Sequence, residues 1–359
     1  GMSNTVKYAA SSIPAARIDW VDYAKGICII LVVMMHTVNG VEQVLDGMGW
    51  MHPVVDFARP FRIPDFFLVA GLFLGRSIHG PLSGYVDRKI VHFVYFYLLW
   101  LTLQFPVLHF DWMVEHPGYF VKMWLFSLVE PSNSLWFVHM LAVFYVVTRL
   151  LRNVPIWIVF AGAFILQSLY QLVIIDTGWG IIDRFCNRYV YFFLGYAFAP
   201  QIFQFAERAA KAPLIWLAGL MVWAVVNWWA VTLDLHEQVI TSFVFGMAGA
   251  TAVCVVSSLL TRFKAADFLR YCGQHSIVIY LTYVFPLVLM ERFVLPKFGA
   301  PFGDIGLASA LGLILAVGLP LMFHALIRGT ALNFLYVRPK WAGLTAKRSG
   351  KGRASLSAE

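Results

Sequence analysis

The sequence predicts an all-α fold, a polytopic membrane bundle of about ten transmembrane helices, and three observations predict it. Of the 359 residues, 60% are hydrophobic and 13% charged, at a mean hydropathy of +0.73, whereas a water-soluble domain carries about 25% charged residues. Apolar segments of roughly 18 to 22 residues recur along almost the whole chain, each long enough to cross a hydrocarbon core of about 30 Å as a helix. Stretches of alternating polarity, the sign of a membrane barrel, do not appear, and backbone groups in lipid must be satisfied within a helix or a closed barrel.

Windows of about 19 residues place the first helix at 23–40, around "KGICIILVVMMHTVNG". The second, 60–76, is interrupted by Pro60, Arg62, Pro64 and Asp65. The third runs over 90–109, after Arg88 and Lys89, and the "WLFSLV" stretch around residue 126 is too short to span and is expected at the surface. Helices four to six follow at 134–152, 155–175 and 187–204, and helices seven to ten at 213–233, 239–261, 276–295 and 304–328. Residues 1–19 are polar, which predicts no cleavable leader. Cys28, Cys186, Cys254 and Cys272 lack metal-ligand spacing and read as packing residues without a disulfide.

Charge fixes the expected orientation. With the amino terminus inside, 20 of the 27 Lys and Arg residues fall on the cytoplasmic segments, as the positive-inside rule requires. Both termini are therefore expected in the cytoplasm, of a cell whose plasma (inner) membrane holds the protein. The domains read as a cytoplasmic segment 1–22, a membrane domain 23–329 and a basic, unstructured cytoplasmic tail 330–359. The net charge of +8 describes this rim, suited to an anionic leaflet and anionic cytosolic ligands. It is no argument for nucleic acid. The lipid bilayer is the one partner that composition alone implies.

Lys25 and His36 are eleven residues apart, which leaves their side chains within roughly 20° of one helix face and about 16 Å apart. Lys25 sits at the cytoplasmic interface, where a lysine also snorkels to headgroups; His36 lies past the midplane, where an ionisable residue reads as functional. Arg62 and Asp65, three apart, can pair with each other at helical spacing. Trp136 fits an interfacial anchor or an acceptor platform, and His139 lies just inside the outer edge. Arg184 and Arg188 open the sixth helix at the outer side and, with Arg59, could draw in an anionic glycan. No Walker lysine loop, zinc-spaced cysteine pairs or "GxSxG" elbow is present, and no metal is expected.

The stretch "RIDWVDYAKGICIILVVMMH" resembles the opening of acyltransferase family 3, in which a basic residue, ten intervening positions and a histidine mark the first helix. Further pieces follow in the family's order: "FRIPDFFLVAG", "SLWFVHMLAVFY", "YVYFFLGYAF" and "GQHSIVIYLTY", the last with its Tyr280. Tyr283 falls where a histidine often stands, and Ala70 where a serine does. The resemblance covers residues 17 to about 290. It implies transfer of an acyl group, often acetyl, from acyl-CoA to a hydroxyl of a carbohydrate or lipid-linked glycan. On that reading His36 is the catalytic base, Lys25 and Arg17 bind the polyanionic coenzyme, and Asn39, one turn beyond His36, orients the ring. Arg62, Asp65, Trp136, His139, Arg188 and Tyr280 are candidates for acceptor binding or site support. The competing class is a small-solute or proton-coupled transporter, since intramembrane His, Asp and Arg also build proton relays. Against it, no paired half-sequences suggest the inverted repeats of many transporters.

Overall fold

The computed structural model describes residues 18–344 except Ser132; Arg17 lies outside the described residues. Every regular element among them is helical. Helix α1, Asp19–Leu45, is buried on most of its circumference, from Trp20 and Asp22 near its start to Val41 near its end. Asp19 and Asp22 occupy its first turn, where carboxylates oppose the helix dipole favourably. Asp46, in the left-handed region at φ 52°, ends it. Next come α2 (His52–Ala58) and α3 (Arg62–Gly71), separated by Arg59, Pro60 and Phe61. The second predicted helix, 60–76, is thus α3 followed by a 3-10 turn at Leu74–Arg76, while α2 precedes it as a short helix that the hydropathy windows did not place.

The third helix, α4, runs over Leu82–Leu108 with a π-helical turn at Val86–Val91. Two short helices, α5 (Phe110–Glu115) and α6 (Pro117–Phe126), take up the stretch around residue 126. The chain continues through α7 (Asn133–Leu150), α8 (Ile156–Gln171) and α9 (Gly180–Ala197). An amphipathic α10 (Ala199–Lys211) precedes α11 (Pro213–Thr232), α12 (Thr241–Phe263) and the short α13 (Asp267–Gln274). The last two helices are α14 (Ser276–Phe298), which carries a π-helical turn at Met290–Val294, and α15 (Ile305–Ile327).

Among the described residues, seven helices are long and apolar enough to cross a membrane: α1, α4, α7, α11, α12, α14 and α15. The expectation of ten is therefore not met on this criterion. The α3 helix is 10 residues long and α8 is 16. The α9 helix carries Asp183, Arg184 and Arg188 within 18 residues. Its second half is enclosed, with Tyr189 to Gly195 all buried, and a helix surrounded by other helices tolerates polar residues that a lipid-facing one does not.

Small residues set the closest helix contacts, as is usual where helices meet in lipid. A Cβ on Gly26 would fall on the Leu269 carbonyl, and one on Gly273 on the Asp22 carbonyl, so α13 lies backbone to backbone on α1. Likewise Gly195 of α9 meets Leu68 of α3, while Gly71 meets Phe192, Gly195 and Tyr196.

The tail expected to be unstructured is instead, through Leu344, a strap across the bundle end near Asp19. A 3-10 turn at Ala331–Leu335 is held by Trp100 Nε1, which donates to the Leu335 carbonyl at 2.9 Å, and by the Tyr95 hydroxyl on the Phe334 carbonyl at 2.7 Å. Arg338 then pairs with buried Asp87 through two contacts of 2.8 and 3.2 Å, and the Leu344 N–H donates to the same carboxylate at 2.7 Å. Composition marks this segment as polar, but Asp87 in the first π-helical turn supplies a fixed acceptor that composition cannot reveal. Residues 345–359 of the predicted tail lie outside the described residues.

Candidate active site around His36

From the contact of Gly26 with Gly273, ten residues along α1 lead to His36 and ten residues along α13 and α14 lead to Tyr283. The two chains run side by side over that distance, about 15 Å at helical rise, and meet again there. The His36 and Tyr283 rings stack, with centroids 5.6 Å apart and planes at 28°. Tyr283 is almost completely buried, so one face of the imidazole is fixed against a rigid wall while His36 itself is only partly enclosed. The helical phase that links Lys25 to His36 holds, since α1 is continuous across both. Lys25, adjacent to Gly26, is partly buried at the crossing with α13.

A second pair of helices brings the arginines to the same place. Gly246 lies against both Tyr191 and Pro60, and Gly71 against Gly195 and Tyr196, so α3 and α9 run in the same direction. Counting back from the Leu68–Gly195 contact, six residues lead to Arg62 and seven to Arg188. Arg62, 8% exposed, donates to the Val55 carbonyl at 2.8 Å. It lies within electrostatic reach of His36 and of Arg188. Arg184, one turn before Arg188, stacks over the Trp136 ring at 4.9 Å. Trp136 in turn faces Phe67 and Phe137, at ring centroid distances of 5.9 and 6.2 Å. It is therefore a partly buried aromatic seat for Arg184.

Tyr280, three residues before Tyr283 and so on the same helix face, holds the start of α7. Its hydroxyl donates to the Ser134 carbonyl and accepts from the Val138 N–H. This clamp fixes Trp136, and through it Arg184.

Three expected members stand elsewhere. Asp65 does not pair with Arg62. It is fully buried and accepts from the Cys28 thiol at 2.9 Å, its other oxygen having no partner among the described residues. Helical spacing allows the Arg62–Asp65 pair, but α1 and α2 capture the two side chains first. Asn39 is exposed, and among the described residues makes no hydrogen bond to His36. His139 bonds to the Leu128 carbonyl at 3.2 Å and meets the edge of Tyr97 at 5.0 Å. That places it on a groove of about 380 Å³ lined also by Phe93, Val94 and Val143, which His36 does not line.

Tyr283 escaped the sequence reading as a site residue, although its spacing of three from Tyr280 puts both on one helical face. The four cysteines are free and buried, and no group of three metal-ligating side chains occurs among the described residues. The side chains gathered here are a partly accessible imidazole, an aromatic wall and, within electrostatic reach of that imidazole, Arg62, which neighbours Arg188 in turn.

Residues 18–325 match the family model described as an acyltransferase domain. The chain is also 23% identical over 308 residues to the inner membrane protein YcfT of Escherichia coli (strain K12), covering 76% of this chain and 82% of that one. No solved structure matches.

Proposed function

The chain belongs to acyltransferase family 3, and on that premise we propose that it is an integral-membrane O-acyltransferase that moves an acyl group, acetyl in the first instance, from acyl-CoA to a hydroxyl of a carbohydrate or lipid-linked glycan. What carries this reading is the stripe from Lys25 to His36 on α1, ending on the ring of Tyr283. Lys25 marks the cytoplasmic mouth, where it binds the coenzyme's phosphates with the help of Arg17. The thin pantetheine arm then carries the thioester along the stripe. The YcfT relative is named as an inner membrane protein, which supports the same location here; on the charge asymmetry of the sequence both termini face the cytoplasm, and α3, α8 and α9 would complete ten crossings.

At the far end His36 takes the proton of the acceptor hydroxyl as its oxygen attacks the thioester carbonyl. The carbon–sulfur bond breaks, and the departing thiolate recovers the proton from the imidazolium. General-base action of this kind contributes about 10² to 10⁴ in rate. Tyr283 holds the imidazole in orientation by stacking, while Trp136, Arg62 and Arg188 form the acceptor side.

The test is acyl transfer by His36→Ala, normalised to folded, membrane-inserted protein. The variant should insert, still bind coenzyme and lose transfer by a factor of about 10² or more. Near-normal turnover per folded molecule would remove His36 from the mechanism. A packing histidine would show the converse, reduced stability with turnover intact.

A further inference from the structure

Arg62 reaches the Val55 carbonyl, at the level of Val38 and so beyond His36 as seen from Lys25, with Arg188 within electrostatic reach of it, and among the described residues neither arginine makes an ion pair. Arg62 spends one N–H on the Val55 carbonyl, and Arg188 makes no hydrogen bond among the described residues. The nearby carboxylates do not pair with either of them. Asp56 is 2.9 Å from Arg59 and 3.3 Å from His52. Glu130 lies across Gly180 from Arg184, without closing to ion-pair distance. Arg184 is taken up by the Trp136 ring and keeps one buried nitrogen unpaired. Two guanidinium groups with free donors, side by side on parallel helices and backed by a third, match the forked recognition of a carboxylate or phosphate.

Accordingly we propose that the acceptor is anionic, and that Arg62 and Arg188 together hold a carboxylate or phosphate that lies next to the hydroxyl presented to His36. This rests on the acyltransferase reading and narrows its substrate class. The coenzyme's own phosphates are a poor fit for this pair, because the stripe places them about 16 Å away at Lys25. An acidic sugar and a phosphate-bearing glycan would offer the same group, and small probes separate them.

The experiment is thermal unfolding of the purified full chain in detergent, with sodium glucuronate, glycerol 3-phosphate, glucose or glycerol, at ionic strength matched by sodium chloride, and separately with acetyl-CoA. At least one anionic probe should raise the midpoint while its neutral counterpart does not, and the anion that protects identifies the source. Arg188→Gln should weaken that protection about tenfold or more and leave protection by acetyl-CoA unchanged. Arg188→Lys keeps the charge should folding need it, but loses the fork, and should weaken it several-fold. Equal protection by neutral and anionic probes, no protection by either anion, or an Arg188→Gln defect confined to acetyl-CoA would each overturn the proposal. Failure of acetyl-CoA to protect would count against the acyltransferase reading alone, because the anion arms are read without it.

Discussion

The roles proposed for Lys25 and His36 rest on one property of α1, its unbroken helical phase over the eleven positions that separate them. If Lys25 contacts the coenzyme, Lys25→Arg should preserve function, since it keeps the charge and adds donors. Lys25→Ala should raise the acyl-CoA concentration needed for half-maximal rate. Titration of both variants against acyl-CoA checks this, and unchanged coenzyme dependence in the alanine variant would return Lys25 to an interfacial anchor. At this scale the sequence was informative where a single helix carries the relationship, as for Lys25 with His36. It misled where two helices compete for one side chain. Spacing pairs Arg62 with Asp65, yet the Val55 carbonyl and the Cys28 thiol take them in opposite directions.

Helix pairs are positioned by glycine, and the cost of disturbing them depends on what a new side chain would strike. At Gly273 a Cβ meets the backbone carbonyl of Asp22, which cannot move without separating α13 from α1. Gly273→Leu should therefore destabilise the protein by about 1 to 3 kcal/mol or more. It should also lower transfer per folded molecule, because the His36–Tyr283 stack lies ten residues beyond the contact on both helices. Gly312→Ala should be much milder, since its Cβ would meet the flexible thioether end of Met290. Thermal unfolding and normalised activity of the two variants provide the comparison, and a Gly273→Leu protein with unshifted midpoint would show that the two helices are not in register as described. Most of the long helices were evident from hydropathy, but α2, a helix of 7 residues ahead of Pro60, is too short for a window of about 19 residues to find.

For the whole molecule, the charge asymmetry leads to an orientation that can be measured. Cysteine labelling or reporter fusions should place residues near Lys211 and the tail after Arg338 in the cytoplasm, and residues near Asp234 outside. A tail reachable only from outside would overturn either the orientation or the number of crossings. The strap from Ala331 to Leu344 makes the carboxyl-terminal segment part of the folded bundle through the Arg338–Asp87 pair. Its anchor points, Trp100, Tyr95 and Asp87 on α4, are more than 200 residues away in sequence, and no local pattern joins them.

The sequence by itself determined the class of fold, because long apolar segments in water have no alternative to helices in lipid, and it determined the family, because the ordered motifs from Arg17 to about residue 290 are local features of the chain. It also picked out His36 and Lys25, whose relation lies within one helix. The tertiary structure alone decided which charges are paired, that Tyr283 backs His36, that Arg188 joins Arg62, and that Asn39 and His139 stand apart. Those outcomes depend on which backbones approach closely at Gly26, Gly273 and Gly195, and close approach is a property of two helices that neither one's sequence contains.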